Sequence, residues 1–502
     1  MLAACVLAAG ARSISLGQDG NWDLKNYHWY NAWALMNGRM GWDLAPAQVQ
    51  TYYNPIGDLP FYFLVHVLPG PKLVAFAMAL STAIAAYFLI RLCATLFSPS
   101  RFSIVAATAI GVTGAAGQAT IGSTMNEWLS AAFLLPAIYL ATRNLAQGAG
   151  RRSPDFGLAA FLVGCSVGLK LTYGVFGIGF LAALLASGPW REGLRRTGWA
   201  TLFMFAGFLL FGGYWAWTMA REFGNPTFPY YNHVFASPWW EPVAFFDRNW
   251  GPREPLQWLL FPLYFARQST LVSEVAFRDY RLAALLVLAI AAVIAWAIGR
   301  QRLPPTWRFL AIFTVVSYLV WLPLFGIYRY LVPLELLSGP LIVGCLVYLL
   351  HSGALRLAAI GIVAVLLVGT TRPMSWGRIP FGERYFDVHV PELEPNALVI
   401  MGFSHPMAYN IPFFRSDARF VSPASNFLMP GQKNRLARRI EDVIRTHTGP
   451  IYLMEYRARV GQDPATLAHF GLAFAEAPCR PIRSPFSDNY VQVCPVARRP
   501  AG

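Results

Sequence analysis

The sequence predicts an all-α polytopic membrane protein of about eleven transmembrane helices, followed by a small C-terminal α/β domain. Hydrophobic residues make up 56% of the 502 residues and charged residues only 13%, whereas soluble domains carry about 25% charged residues. Long apolar runs recur through residues 1–371, which we predict to form the transmembrane domain. Residues 372–502 are more polar and contain only short apolar stretches, so we predict a separate domain there.

The apolar runs give the expected helices in chain order. Residues 1–11 are too short to cross a bilayer, which needs about 20 apolar residues, so we expect the sequence to begin inside a membrane helix. A signal peptide is the alternative, although no Lys or Arg precedes this run. The run 156–187 is long enough for two short spans with a break near Lys170–Tyr173, and the shorter run 257–268 is predicted to lie in the membrane interface. The other runs are 72–97, 102–118, 127–143, 199–219, 282–299, 308–325, 329–350 and 355–371.

Basic residues between the runs predict the orientation, because an excess of Lys and Arg marks cytoplasmic loops. They fall in alternate connections, which places loop 17–60, residues 119–126, loop 220–281 and residues 372–502 on the extracytoplasmic side. A net charge of +15 is also typical of nucleic-acid-binding proteins, but much of the excess lies in these short loops, so we expect no nucleic-acid partner. The loop residues are Arg101, Arg143, Arg151, Arg152, Arg191, Arg195, Arg196, Arg300, Arg302, Arg308 and Arg356.

The C-terminal region has the pattern of a small α/β domain. The apolar stretches 397–403, 450–456 and 490–496 are typical of strands, and residues 433–447 have a helical pattern with paired charges. Cys479 and Cys494 could form a disulfide if the region is extracytoplasmic. The other cysteines lie in apolar runs, and the absence of CxxC and HExxH motifs argues against a structural zinc site.

Loop 17–60 is unusually rich in functional groups for a connection between apolar runs. It contains four aspartates and eight Trp or Tyr residues. Asp19 and Asp23 would share one face if the stretch were helical. A carboxylate beside the membrane can act as a general base or bind a divalent cation, although solvated loop acids are an equally simple interpretation. Loop 220–281 is rich in Pro and aromatic residues and is either an interfacial segment or a lid.

Three further ionisable residues lie at the start of apolar runs or inside one. Glu127 follows Asn126 at the start of a run, where the helix dipole alone favours an acid. Lys170 lies inside an apolar run, where an ionisable group is a functional candidate, with snorkelling as the alternative. Arg329, between Tyr328 and Tyr330, can bind a lipid phosphate or serve as an interfacial anchor.

These features together resemble the C-type glycosyltransferases, the GT-C superfamily of polytopic membrane enzymes that use polyprenyl-phosphate sugars. Protein O-mannosyltransferases, lipid A aminoarabinose transferases and the oligosaccharyltransferase catalytic subunit belong to this group. Asp23 in WDLKNYHWYNAWALMNGR resembles the acidic motif of the family's first extracytoplasmic loop, and DLAPAQVQTYYNPIGDLPFY resembles the second half of that loop. Asn126–Glu127 resembles a second acidic position, and Tyr328–Tyr330 resembles the basic element that contacts the donor phosphate.

The resemblance implies an inverting glycosyltransferase of the bacterial inner or plasma membrane, with its active site and C-terminal domain on the periplasmic side. Asp23 or Asp19 would be the general base, and a glycan, lipid or protein would be the acceptor. The family's adjacent Asp-Glu or Asp-x-Asp pair is absent, so the need for Mg²⁺ or Mn²⁺, with Asp23 and Glu127 as ligands, stays open. The implied donor-phosphate residues are Lys170, Tyr328, Arg329 and Tyr330, and the implied acceptor or loop residues are Tyr27, His28, Asp58 and Glu127.

Two alternatives use similar substrates. One is a transporter or flippase of a lipid-linked glycan, which needs a polar path through the spans. Only Lys170 is placed for such a path, and paired broken helices in matching halves are not evident. The other is a polymerase or ligase of lipid-linked glycans, which the sequence separates poorly from a transferase.

Overall fold

The computed structural model describes residues 1–148, 154–244, 249–299, 303–402, 405–457, 464–486 and 490–499. Arg151, Arg152, Arg300 and Arg302 of the predicted cytoplasmic loops lie outside the described residues. The chain divides into two compact units. Unit 1 contains Met1–Ser15, Met78–Tyr214 and Phe246–Trp376, and unit 2 contains Leu16–Ala77, Trp215–Phe245 and Gly377–Gly502.

Helices dominate the described part of the chain up to residue 370, as the apolar runs predict. The α-helices are α1 (Leu2–Leu16), α2 (Trp29–Met36), α3 (Leu59–Val67), α4 (Pro71–Met78), α5 (Leu80–Phe97), α6 (Arg101–Val112), α7 (Ala115–Thr120), α8 (Glu127–Ala146), α9 (Pro154–Leu169), α10 (Gly174–Ala186), α11 (Trp190–Phe208), α12 (Tyr214–Phe223), α13 (Asn232–Phe235), α14 (Pro255–Arg267), α15 (Arg281–Gly299), α16 (Pro305–Leu324), α17 (Val332–Leu349), α18 (Gly353–Thr370), α19 (Arg435–Thr446) and α20 (Pro464–His469).

Seven helical stretches within the described residues are long and apolar enough to cross a membrane. Four more apolar helices contain only 10–17 residues. The predicted class, a polytopic helical membrane protein, is therefore confirmed, while the count of eleven spans stays a prediction. The seven stretches are Pro71–Phe97, Glu127–Ala146, Trp190–Phe223, Arg281–Gly299, Pro305–Leu324, Tyr328–Leu349 and Gly353–Thr370.

One apolar run was wrongly predicted to be a single span. Residues 102–118 form α6 and the short α7, separated at Thr113 and Gly114. Gly114 is extended, and a Cβ there would come within 2.3 Å of the Glu335 carboxylate. Glu335 accepts hydrogen bonds from the backbone amides of Ala116 and Gly117 at 3.0 and 2.8 Å. The buried carboxylate oxygens of Glu335 therefore satisfy amide groups at the N-terminus of α7 that have no partner within the helix. This contact explains why the chain ends α6 and begins a new helix here.

Glycines allow the helices of unit 1 to approach closely. A Cβ at Gly207 of α11 would lie 2.0 Å from the Phe161 carbonyl oxygen of α9, and one at Gly164 would lie 1.9 Å from the carbonyl oxygen of Met204. A Cβ at Gly339 of α17 would lie 1.9 Å from the carbonyl oxygen of Ala107 in α6. Small residues at such crossings are the usual means by which membrane helices pack, because the hydrophobic effect does not drive association within lipid.

A mixed sheet forms the centre of unit 2, as the C-terminal sequence pattern predicts. Its order is β4-β3-β5-β8-β6, with β7 also paired to β8. β3 is parallel to β4 and β5, whereas β8 is antiparallel to β5, β6 and β7. The strands are β1 (Gln18–Asp19), β2 (Arg378–Ile379), β3 (Leu398–Met401), β4 (Arg419–Val421), β5 (Ile451–Tyr456), β6 (Leu472–Phe474), β7 (Arg480–Pro481) and β8 (Val491–Arg498).

Two features tie the polar C-terminal region together. α19 buries Leu436, Ile440 and Ile444 against apolar strand residues, which matches the predicted helix at 433–447. Cys479 and Cys494 form a disulfide, and the register that pairs Arg480 with Val493 brings them opposite each other. The disulfide that the sequence left open is therefore formed.

Candidate functional site

The start of α8 places Glu127 inside unit 1. Asn126 is the N-cap residue, and the Glu127 side chain is fully buried. Two neighbouring aromatic residues fix the local backbone: the Tyr173 hydroxyl donates to the Glu127 carbonyl oxygen at 2.8 Å, and the Trp128 indole N–H donates to the Gly117 carbonyl oxygen at 2.9 Å. A buried carboxylate in this setting requires compensating cations.

Lys170 and Arg329 supply those cations. The Lys170 Nζ lies 2.6 Å from Glu127 Oε1, and the Arg329 Nε lies 3.2 Å from the same oxygen. Lys170 occupies the predicted break, between α9 and a 3₁₀ turn over Leu171–Tyr173. Arg329 lies in a second 3₁₀ turn, Tyr328–Leu331, directly before α17. Interruptions of two helices therefore present both cations to one carboxylate.

Aromatic rings surround the cations. Tyr330 lies under both, with its ring centroid 5.0 Å from Lys170 Nζ and 5.7 Å from the Arg329 guanidinium carbon. The Trp376 ring lies 5.7 Å from the same carbon of Arg329. Tyr328, predicted as a donor-phosphate residue, is instead buried against Phe265 and Phe277. Rings in these positions stabilise cations and favour an ordered arrangement.

The three ionised side chains carry two positive charges and one negative charge, a net +1. The side chains of Lys170 and Arg329 are 18% and 14% exposed, whereas Glu127 is 0% exposed. Glu335 of α17 accepts from the amides of α7. A pair of cations held by one buried carboxylate is chemically suited to bind an anion, since guanidinium and ammonium groups both bind phosphate.

In unit 2, Asp19 and Asp23 do not share a helix. Asp19 belongs to β1 and pairs with Arg378 of β2, while Asp23 precedes a π-helical turn over Leu24–His28. The condition for a common helical face is therefore not met, because pairing with a strand from the C-terminal region extends the chain around Asp19. Asp19 is buried, and both of its carboxylate oxygens accept from the Asn21 amide at 2.7 and 2.9 Å. Asp23 is half-buried.

The structure brings together two other residues of loop 17–60. His28 Nδ1 lies 2.6 Å from Asp58 Oδ1, and both side chains are buried. The Tyr27 ring packs 4.0 Å from the His28 ring. The Asp58 carboxylate fixes the orientation of the His28 imidazole, as a hydrogen-bond partner of a histidine ring usually does. This pair connects the helical part of the loop to the 3₁₀ turn Pro55–Asp58.

The possible metal ligands Asp23 and Glu127 stay a prediction. Among the described residues, no group of three or more His, Cys, Asp or Glu side chains is arranged to hold a metal ion.

Sequence reasoning missed a second buried ionic group of unit 1. Arg281 is fully buried and forms an ion pair with Asp279. Its guanidinium also donates to the Ile110 carbonyl oxygen at 2.7 Å and to the Thr113 hydroxyl at 2.8 Å. The Asp279 carboxylate accepts from the Ala115 amide at 2.8 Å. The signal in the sequence was an Asp and an Arg two residues apart at the edge of an apolar run.

The long apolar helices, with ionic groups buried among them, define an integral membrane protein. No protein-family model matches the chain, and no curated protein sequence matches it either. Among solved structures, the chain is similar to ArnT from Cupriavidus metallidurans bound to undecaprenyl phosphate, with 13% identity and a TM-score of 0.48. This alignment covers 73% of the present chain and 63% of the ArnT chain. The apo-state ArnT structure gives 11% identity and a TM-score of 0.43, over 98% and 97% of the two chains.

Proposed function

We propose that this protein is an inverting membrane glycosyltransferase that moves a sugar from a polyprenyl-phosphate donor to a glycan, lipid or protein acceptor. The observation that carries the proposal is the group formed by Glu127, Lys170 and Arg329. Such a cationic group beside apolar helices suits a ligand that combines a phosphate with a long hydrocarbon tail. The resemblance of Asp23 and its surrounding loop to the acidic motif of the C-type glycosyltransferases also supports it.

The cations have a clear role in this reaction. When the bond between the anomeric carbon and the phosphate oxygen breaks, negative charge develops on the departing polyprenyl phosphate. Fixed cations in a site of low dielectric constant stabilise such charge far better than water-exposed cations do. Lys170 and Arg329 fill this role in the proposal, and Glu127 and Tyr330 hold them in place.

Asp23 is the preferred general base. It takes the proton of the acceptor hydroxyl as that oxygen attacks the anomeric carbon, so that a new glycosidic bond replaces the bond to phosphate with inversion. Asp23 is half-buried, whereas Asp19 is buried and bound by Asn21. His28 and Asp58 are buried as a pair, which suits them to shape the loop that carries Asp23.

Two observations support the proposed compartment. The basic loops predict that residues 372–502 and loop 17–60 are extracytoplasmic. The disulfide between Cys479 and Cys494 supports this side, because disulfides persist in the periplasm and are rare in the cytosol. We therefore place the reaction on the periplasmic face of a bacterial inner membrane.

No step of the proposal passes through a metal ion. Mg²⁺ usually binds one or two protein carboxylates together with substrate phosphates. Glu127, one of the two predicted ligands, already balances two cations, so we expect transfer to continue after chelation. Transfer measured with and without EDTA, followed by added Mg²⁺ or Mn²⁺, tests this expectation.

A transfer assay tests the function itself. Purified protein in liposomes is supplied with undecaprenyl-phosphate monosaccharides labelled in the sugar, together with extracts of candidate glycan, lipid and protein acceptors. The proposal predicts label in an acceptor and release of undecaprenyl phosphate. Movement of the labelled lipid across the bilayer without transfer would favour a flippase. Turnover restricted to preassembled oligosaccharide donors would favour a polymerase or ligase.

A further inference from the structure

A turn in unit 2 holds an exposed tryptophan, Trp42, and three arginines. The Arg39 guanidinium carbon lies 5.9 Å from the centroid of the Trp42 ring, and Arg419 and Arg439 lie beside the same turn. Arg419 Nε donates to the Trp42 carbonyl oxygen at 2.8 Å, and the Arg439 guanidinium donates to the Gly41 carbonyl oxygen at 3.4 Å. Since these carbonyls belong to consecutive residues, both guanidinium groups lie beside the same turn. The Trp42 side chain is 46% exposed, and the Arg419 guanidinium carbon lies 5.1 Å from its ring centroid. Arg439 also lies 5.8 Å from the ring centroid of Trp239.

Neither arginine has an acidic partner. Across the described residues, no carboxylate oxygen lies within 4.0 Å of the side-chain nitrogens of Arg419 or Arg439. The nearby acid, Asp43, binds Arg39 through both carboxylate oxygens at 3.1 and 2.8 Å. By contrast, Arg445 on the same helix as Arg439 pairs with Glu441 at 2.8 Å. Among the described residues, the turn therefore carries two guanidinium groups with no carboxylate in ion-pair contact, and Asp43 acts on Arg419 only from a greater distance.

Without a bound anion, the positive charges of Arg419 and Arg439 are energetically unfavourable in this setting. Partial burial lowers the pKa of Arg419, and the positive charge of Arg439 lowers it further. Two like charges that share a turn repel each other, and an anion between them would relieve the repulsion.

We propose that Arg419, Arg439 and Trp42 form a binding site for a phosphate group carried by a sugar. A guanidinium presents planar N–H pairs that match phosphate oxygens, and two such groups match the charge of a phosphate monoester better than that of a carboxylate. Backbone carbonyls already hold both guanidinium groups, which reduces the entropy lost on binding. The exposed Trp42 ring offers an apolar face for a pyranose. A phospholipid headgroup carries the same phosphate chemistry and is the second possible source.

Calorimetric titration of the full-length protein in phosphatidylcholine nanodiscs tests the site. The probes are glucose 6-phosphate, inorganic phosphate, unphosphorylated glucose, and glycerophosphoglycerol as a soluble phospholipid headgroup. We expect both glucose 6-phosphate and inorganic phosphate to bind, the sugar phosphate more tightly, and glucose to give no heat. Tighter binding of glycerophosphoglycerol than of glucose 6-phosphate would identify a lipid headgroup as the source and overturn the sugar assignment.

Variants distinguish this site from other cations of the protein. The double change Arg419→Gln with Arg439→Gln should weaken phosphate binding at least tenfold, while the matched change Arg445→Gln should leave it unchanged. The change of both arginines to Lys keeps the charge and the fold but removes the planar N–H pairs of the guanidinium groups. Phosphate binding should therefore weaken by less than in the double Gln variant. Wild-type affinity in the double Gln variant, with an unchanged Tm, would overturn the proposal, as would the absence of binding by any phosphate probe.

Discussion

The ammonium nitrogen of Lys170 lies 2.6 Å from Oε1 of Glu127, deep enough in unit 1 that the carboxylate has no exposed surface. The same oxygen lies 3.2 Å from Nε of Arg329. One carboxylate therefore neutralises part of the charge of two cations, each of which lies in a break between helices. Removing the acid takes the shared carboxylate from both cations at once, whereas removing one cation leaves an ion pair.

The first prediction follows from this asymmetry. Glu127→Gln should destabilise the protein by about 3–5 kcal/mol, because breaking a buried ion pair leaves uncompensated charge. Glu222→Gln is the control, since Glu222 pairs with Arg221 at the surface and such pairs contribute about 0–1 kcal/mol. Thermal unfolding in one detergent measures both variants. Equal Tm values for the two variants would contradict the structural role of Glu127.

The second prediction separates the two aspartates of loop 17–60. Asp23→Asn should lower kcat of sugar transfer by about 10²–10⁴, the usual contribution of a general base, with little change in donor KM. Asp19→Asn should lower kcat by less than about tenfold, because its role in holding Asn21 is structural. Steady-state kinetics with a fixed acceptor measures kcat and the donor KM of both variants. A larger loss in kcat for Asp19→Asn than for Asp23→Asn would assign the base to Asp19.

The third prediction concerns helix packing, with both positions on α11. Gly207→Ala places a methyl group 2.0 Å from the Phe161 carbonyl oxygen and should cost about 1–3 kcal/mol through overpacking. Gly198→Ala meets no atom within 4 Å and should be neutral or stabilising, because Ala is the better helix former. Thermal unfolding of the two variants provides the comparison. Similar Tm values would mean that α9 and α11 do not approach as closely as described.

The fourth prediction concerns the disulfide of unit 2. Replacing Cys479 and Cys494 together with Ser should lower stability by about 2–4 kcal/mol, because the unfolded chain loses a cross-link. Cys5→Ser, at a cysteine that is free, is the control. Mass spectrometry after denaturation and alkylation without reduction should find four modified cysteines in the membrane-inserted protein, from the six in the sequence less the two in the disulfide. Six modified cysteines would show that the bond does not form.

The helices of unit 1 could largely be predicted from the sequence, because the length and polarity of a run determine whether it can span a bilayer. The break near Lys170–Tyr173 was predicted from one charged residue in an apolar run and is confirmed. The run 102–118 misled us, because the acceptor that interrupts it, Glu335, comes from a distant helix. Hydropathy carries no signal for such a contact.

The partners of the candidate site residues were less predictable. Glu127, Lys170 and Arg329 were each singled out by position, but their pairing depends on how three separate helices pack. The strand pairing of Asp19 could not be predicted, because its partner, Arg378, is remote in sequence. By contrast, the sequence named Cys479 and Cys494 as the possible disulfide pair, since no other cysteine occurs in the polar region, but it left open whether the bond forms.

Binding of undecaprenyl phosphate tests the central claim most directly, since this lipid supplies both the phosphate and the tail that the proposal requires. The measurement compares wild-type protein in nanodiscs with the double variant Lys170→Gln and Arg329→Gln, using native mass spectrometry of the bound lipid. The control is Arg196→Gln, which removes a cation that pairs with Glu192. We predict at least about tenfold weaker binding in the double variant, because hydrogen bonds to charged groups contribute about 1.5–3 kcal/mol each. Equal occupancy by the lipid in all three proteins would contradict the account.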